Sequence, residues 1–239
     1  MGHLIEPSSI SPPRHTQPGQ SCFSNVRSCL SGPDGTARLP KKPFVSYLLV
    51  ALNVLAYFYT SGANDPRFAA LALWPVGAEF APWQLLTHAF MHASVTHLAF
   101  NMLGLYSFGP QLERVFGPGR FLLLYLASLL VAALCQLLVL YLAGVNAPTV
   151  GASGAIYGLL LAFGLLFPKQ KVLLIFPPIP MPAWLFVTLF GILALVLGVT
   201  DRTSGVAHFA HLGGMLGSGV LLLLWRKQLW PLRNSTSHS

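Results

Sequence analysis

The amino-acid sequence predicts an all-α, polytopic membrane protein built as a bundle of six transmembrane helices, and three observations predict it. Of 239 residues, 54% are hydrophobic and only 8% are charged, whereas soluble domains carry roughly 25% charged residues. The apolar residues gather in six runs at or near the length that crosses a hydrocarbon layer about 30 Å thick. Within those runs the few polar side chains fall in three segments and at one depth, a pattern that function explains better than packing does.

Residues 1–43 are rich in Ser, Pro and Gly and contain no apolar h-region, so they are expected to form a disordered tail and not a secretory signal. Met1-Gly2 opens as an N-myristoylation motif does, but Glu6 stands where that motif needs Ser or Thr. The apolar segments follow at about 44–60, 95–109, 121–145, 153–167, 183–199 and 206–225. They define a membrane domain over 44–226 with a short C-terminal tail at 227–239. The second and fourth segments are short for a full crossing, so non-helical chain is expected to complete both spans. Such backbone survives at membrane depth only where protein or a water-filled cavity covers it. The long connection at 61–94 contains a mixed stretch, 68–86, with Trp74 and Trp83, residues that favour the membrane interface. It is expected to lie in the outer leaflet as a covering loop.

The net charge of +8 does not point to nucleic acid, because the basic residues form no stripe or cluster along the sequence. Their distribution sets orientation instead. With the N-terminus inside, the inner side receives Arg14, Arg27, Arg38, Lys41, Lys42, Arg114, Arg120, Lys169, Lys171, Arg226, Lys227 and Arg233, and the outer side only Arg67 and Arg202. Both termini are therefore expected in the cytoplasm. Cys22, Cys29 and Cys135 have no metal-ligand spacing and cannot all pair with one another, so no disulfide framework is implied.

The polar residues inside the segments are His97 and Asn101 in the second, Ser153 and Tyr157 in the fourth, and His208 and His211 in the sixth, with His88 and His92 at the approach to the second. Ser153 lies about 15 residues from Pro168, and His211 about 15 from Arg226; at 1.5 Å per residue both sit roughly 22 Å above the inner boundary. Asn101 and His97 lie roughly 18 and 24 Å above Glu113 and bracket the same plane. Gly154 and Gly158, and likewise Gly213 and Gly217, have the small-xxx-small spacing that lets membrane helices pack backbone to backbone. A serine hydroxyl and an imidazole on such faces can meet.

That pairing is what a serine nucleophile needs, since the hydroxyl is weak until a base takes its proton. No triad is available: Glu6, Asp34, Asp65, Glu79, Glu113 and Asp201 are the only carboxylates, and none lies in a segment near that plane. The same shortage removes an aspartyl mechanism, which requires paired membrane aspartates. Ser153 begins its helix, where free N–H groups and the dipole favour a developing oxyanion. His97 and Asn101, four residues apart on one face, supply side-chain donors.

At these residues the chain resembles the rhomboid intramembrane serine proteases, over about residues 44–226. The family's Gly-x-Ser-Gly motif is matched by Gly151-Ala152-Ser153-Gly154, and the tyrosine one turn on, which packs against the catalytic histidine, by Tyr157. Its Ala-His-x-x-Gly motif is matched by Ala210-His211-Leu212-Gly213-Gly214, and its His-x-x-x-Asn pair by His97 to Asn101. Ala207-His208 offers a second Ala-His, but three residues on stands His211 and not glycine. Glu113-Arg114 resembles the family's acidic-basic element at the inner end of the second helix, while a frequent Trp-Arg pair of the first outer loop stands here as Trp83-Gln84.

The resemblance implies a rhomboid-like bundle that cleaves peptide bonds in or beside transmembrane segments of other proteins. Ser153 would be nucleophile, His211 base and then acid, and His97 and Asn101 oxyanion donors, with no metal or cofactor. Substrates with helix-weakening residues near the cut are expected to be preferred. The bare six-helix form implies a bacterial inner membrane. Two other readings compete. The histidines could serve a metal transporter or metalloprotease, and His88 and His92 have zinc-ligand spacing, but the glutamate of His-Glu-x-x-His is missing. A non-proteolytic rhomboid-like protein that only binds helices is expected to lose Ser153 or His211, and both are present.

Overall fold

The computed structural model describes residues 42–60, 65–77, 79–174, 178–200 and 207–236, with backbone alone beyond Arg226. The tail at 1–41 with Cys22 and Cys29, and the segment holding Asp201 and Arg202, lie outside the described residues. Among the described residues the helices are α1 (Phe44–Thr60), α2 (Pro66–Leu71), α3 (Gln84–Thr87), α4 (Val95–Phe116), α5 (Pro118–Ala143), α6 (Ser153–Leu166), α7 (Ala183–Thr200) and α8 (His208–Thr236). A single 3₁₀ turn, His88–Phe90, follows α3. Between α6 and α7 a two-stranded antiparallel hairpin pairs β1 (Lys171–Leu173) with β2 (Pro180–Pro182), Val172 opposite Met181.

By length and composition α5, α7 and residues His208–Arg226 of α8 are each able to cross a membrane, while α1 and α6 are shorter apolar helices. The second segment departs from expectation. The helix α4 runs through Pro110 for 22 residues, about 33 Å, to the glycine cap at Gly117. No non-helical chain is needed to complete it. Proline is tolerated inside a helix that neighbouring helices enclose, and Pro110 is buried.

The fourth segment does keep the short form. The helix α6 has 14 residues, about 21 Å, and the chain ahead of it is non-helical, with Gly151 and Ala152 buried by protein. Leu73 and Thr149 exchange backbone hydrogen bonds of 2.9 and 2.8 Å, tying the 61–94 connection to this stretch.

The core forms around α6, which buries residues on all sides, among them Ala155, Leu159, Leu160, Ala162 and Phe163. Glycine brings its neighbours close. A methyl on Gly154 would lie 2.5 Å from the Ala132 methyl of α5. One on Gly158 would strike the Ser128 side chain, and one on Gly214 would collide with the Gly154 carbonyl. The contact of α8 with α6 therefore runs through Gly214, while Gly213 and Gly217 face Cys135, Ala127 and Val131 of α5. The small-residue spacing at 213 and 217 serves a different pair of helices from the one the sequence suggests.

At the opposite end of α4, Glu113 is buried and accepts from the N–H groups of Val45 (2.9 Å) and Ser46 (2.8 Å) and from the Ser46 hydroxyl (2.7 Å). A carboxylate borrowed from α4 thus satisfies the free donors of the first turn of α1.

Candidate active site

The nucleophile candidate is placed by two local features. Gly151 adopts a positive φ of 113°, a conformation that side chains disfavour, and its N–H donates to the His88 carbonyl at 2.8 Å. The turn then delivers Ser153 as the first residue of α6, behind Ala152 and with no side chain capping the helix. The N–H groups of the first turn of α6 are therefore not taken by a capping side chain.

Because Gly214 lets α8 lie against the α6 backbone, His211 reaches that hydroxyl, and its Nε2 lies 2.9 Å from Ser153 Oγ. The His211 ring stacks on Tyr157 at 4.1 Å between centroids and 3° between planes. Its Nδ1 is buried and meets no acceptor among the described residues. A carboxylate would orient the base from that atom in a triad; here the flat tyrosine ring holds the imidazole plane. Phe190 of α7 leans on the far side of Tyr157 at 6.4 Å. His208 stands edge-on to His211 at 6.0 Å and packs its Cβ against Gly198, at the margin of the pair.

His97 and Asn101 come to the same place from α4. A methyl on Gly151 would sit 2.7 Å from His97 Nε2 and 3.8 Å from Asn101 Nδ2, so only the bare α-carbon admits both side chains beside the start of α6. Ser94 caps α4 by accepting from the His97 N–H at 3.1 Å. Asn101 Nδ2 donates to the His97 carbonyl at 2.9 Å, which orients the amide and leaves its second N–H available. The four residues given catalytic roles from the sequence, Ser153, His211, His97 and Asn101, are thus brought together at the start of α6.

His88 and His92 lie ahead of α4, in the connection. Burial holds both imidazoles below their ordinary range, and His92, with the His97 ring beside it, is pushed down to about 4. His88 Nδ1 pairs with the Gln84 carbonyl at 2.7 Å. The 3₁₀ turn and the extended Met91 (ψ 134°) between them break the helical i, i+4 geometry that a zinc pair requires. Among the described residues no three His, Cys, Asp or Glu side chains converge.

In the sequence Gln84 marks only a departure from Trp-Arg. It is buried, accepts from the Trp74 N–H at 3.2 Å, and donates to the carbonyls of Glu79 (2.9 Å) and Ala70 (3.4 Å). Thr87 adds a bond to the Leu71 carbonyl at 2.8 Å. These bonds give the connection a defined shape over the start of α6, and only their polar side chains amid apolar residues signalled it.

A Rhomboid domain family model matches residues 79–228. The chain is 29% identical over 190 residues to the Rhomboid protease GluP of Bacillus subtilis (strain 168), covering 74% of this chain and 34% of that protein. It is 37% identical over 139 residues to the mitochondrial Rhomboid protein 1 of Saccharomyces cerevisiae, covering 57% and 40%. It is 30% identical over 189 residues to the Putative rhomboid protease YdcA of B. subtilis, covering 76% and 88%. The chain thus spans less than half the length of the first two relatives and most of the third. With a family match over more than half its residues, and with apolar helices long enough to cross a bilayer, this polytopic helical membrane protein belongs to the rhomboid family.

Proposed function

We propose that the chain is an intramembrane serine endopeptidase that cuts other proteins in or beside their transmembrane segments by a Ser153–His211 dyad. The observation that carries this reading is the 2.9 Å contact between His211 Nε2 and Ser153 Oγ. The hydroxyl gives its proton to Nε2 as oxygen attacks the scissile carbonyl. The negative charge on the carbonyl oxygen falls where the Ser153 N–H, the second Asn101 N–H and His97 gather. The imidazolium then protonates the departing amine, leaving an acyl-Ser153. Water, deprotonated by His211, attacks the acyl carbon; the bond from that carbon to Ser153 Oγ breaks, the product leaves with a new carboxyl terminus, and His211 returns the proton to the serine oxygen. No metal or cofactor enters these steps.

The same reading places the protein in a bacterial inner membrane with both termini in the cytoplasm, six crossings within 44–226, and flanking tails at 1–43 and 227–239. The support is the sidedness of the basic residues. Hydrolysis requires water at the plane of Ser153, so the site opens toward the outer face. Substrates whose helices are weakened near the cut expose a backbone carbonyl and are preferred.

The test is cleavage of a model transmembrane substrate by detergent-purified protein. Wild type should cut, with or without a chelator, and Ser153→Ala and His211→Ala should each fall by at least about 10³-fold. Cutting by Ser153→Ala, or loss of cutting with the chelator, would overturn the dyad.

A further inference from the structure

The contacts at one end of the bundle gather basic side chains from α4, α5 and α8, from the chain just ahead of α1 and from the chain between α6 and α7. Glu113 joins the start of α1 to the end of α4. Trp225 of α8 packs against Phe116 at 5.7 Å and lies under the Arg120 guanidinium at 5.8 Å. Gln170, beside the hairpin, donates to Gln111 of α4 at 3.1 Å. These bonds assemble Lys42, Arg114, Arg120, Lys169, Lys171 and Arg226 into a collar, all exposed.

Nothing described neutralises it. The carboxylate at this end, Glu113, is buried and occupied by α1, and the ion pair found among the described residues, Arg67 with Asp65, belongs to the other end. Six cations held together without counter-charge repel one another and attract an anion. The apolar neighbours say which kind. Leu173 and Ile179 of the hairpin are 61% and 47% exposed, and Trp184 at the start of α7 is 54% exposed. Lysines at the base of a projecting apolar hairpin, beside an interfacial tryptophan, suit a surface that is anionic outside and hydrocarbon beneath. A soluble anion or an acidic protein would leave the hairpin uncovered.

We infer that this collar is a docking surface for anionic phospholipid headgroups, centred on Arg120 and Arg226 beside Trp225, with the β1–β2 hairpin seated in the acyl region. Cation–π contact holds Arg120 in place, and each basic group near an anionic leaflet contributes to the attraction.

The test is native mass spectrometry of the full chain released from detergent containing equal amounts of phosphatidylglycerol and phosphatidylcholine of distinct mass. Wild type should retain phosphatidylglycerol over phosphatidylcholine by about threefold or more. Raising salt from about 50 to about 500 mM should erase that preference, a readout that needs no variant to fold. R120Q/R226Q should lose most of the preference, R120K/R226K should keep it, and R67Q at the other end should not change it. Equal retention of the two lipids by wild type, a preference indifferent to salt, or one unchanged in R120Q/R226Q would overturn the inference.

Discussion

At the scale of residues, the candidate site pairs a serine with a histidine that has no acid behind it among the described residues. The buried Nδ1 of His211 lacks a partner among the described residues, and the ring is held by its stack on Tyr157. Much of this geometry was legible beforehand. Counting helix rise from Pro168 and Arg226 put Ser153 and His211 level, and 1.5 Å per residue is regular enough for that estimate to hold across two helices. What could not be read was Gly151, because its role lies in a backbone dihedral and in the space for His97 and Asn101, which no spacing rule encodes. Asn101 leads to a prediction. Asn101→Ala should lower kcat on a model substrate by about 10²-fold, and KM should change far less, because in the proposed mechanism its free N–H serves charge that develops only in the transition state. Steady-state kinetics decide it: a rise in KM at constant kcat would make Asn101 a substrate-binding group instead.

At the scale of elements, the short buried helix α6 sets the arrangement, and glycines determine which helix may touch it. Helix boundaries followed the apolar runs closely, and α1 begins and ends where its run does. The exceptions were α4, which continues for about two turns past its apolar run, through Pro110, because enclosure by neighbours overrides a local breaker, and α8, whose helix continues beyond residue 225 to Thr236. Partner choice was the illegible part. Glycine spacing marks a face that can be approached, but whether α5 or α6 approaches it depends on rotation about the α8 axis. The glycines of α8 therefore separate in their response to a methyl group. Gly214→Ala should destabilise the protein by about 1–3 kcal/mol through overpacking, because its new methyl meets the Gly154 carbonyl. Gly219→Ala, whose methyl would sit 3.5 Å from a Leu161 side-chain carbon, should be neutral or slightly stabilising by helix propensity. Thermal unfolding in detergent compares them, and equal effects would contradict the Gly214 contact. In Gly214→Ala the distance from His211 to Ser153 should grow and cleavage should fall with it.

At the scale of the whole molecule, the two ends are built for different tasks. One carries the 61–94 connection, bound through Gln84, Thr87 and His88 to itself and, through Leu73 and His88, to the chain that delivers Ser153. The other carries the basic collar, the capped start of α1 and the apolar hairpin. Composition alone announced a membrane protein, and the family match agrees. The order of catalytic candidates along the chain was equally plain, while the cross-links that hold each end together came from residues far apart in sequence, such as Glu113 with Ser46, which no local pattern pairs. Between the two ends the dyad is the point on which the functional account rests. The most direct measurement is covalent labelling of the detergent-solubilised chain with a fluorophosphonate, followed by mass mapping of the modified residue. A single adduct on Ser153 is expected, slowed by about 10³-fold in His211→Ala. An adduct on another serine, or labelling of Ser153 that His211→Ala leaves unchanged, would contradict it.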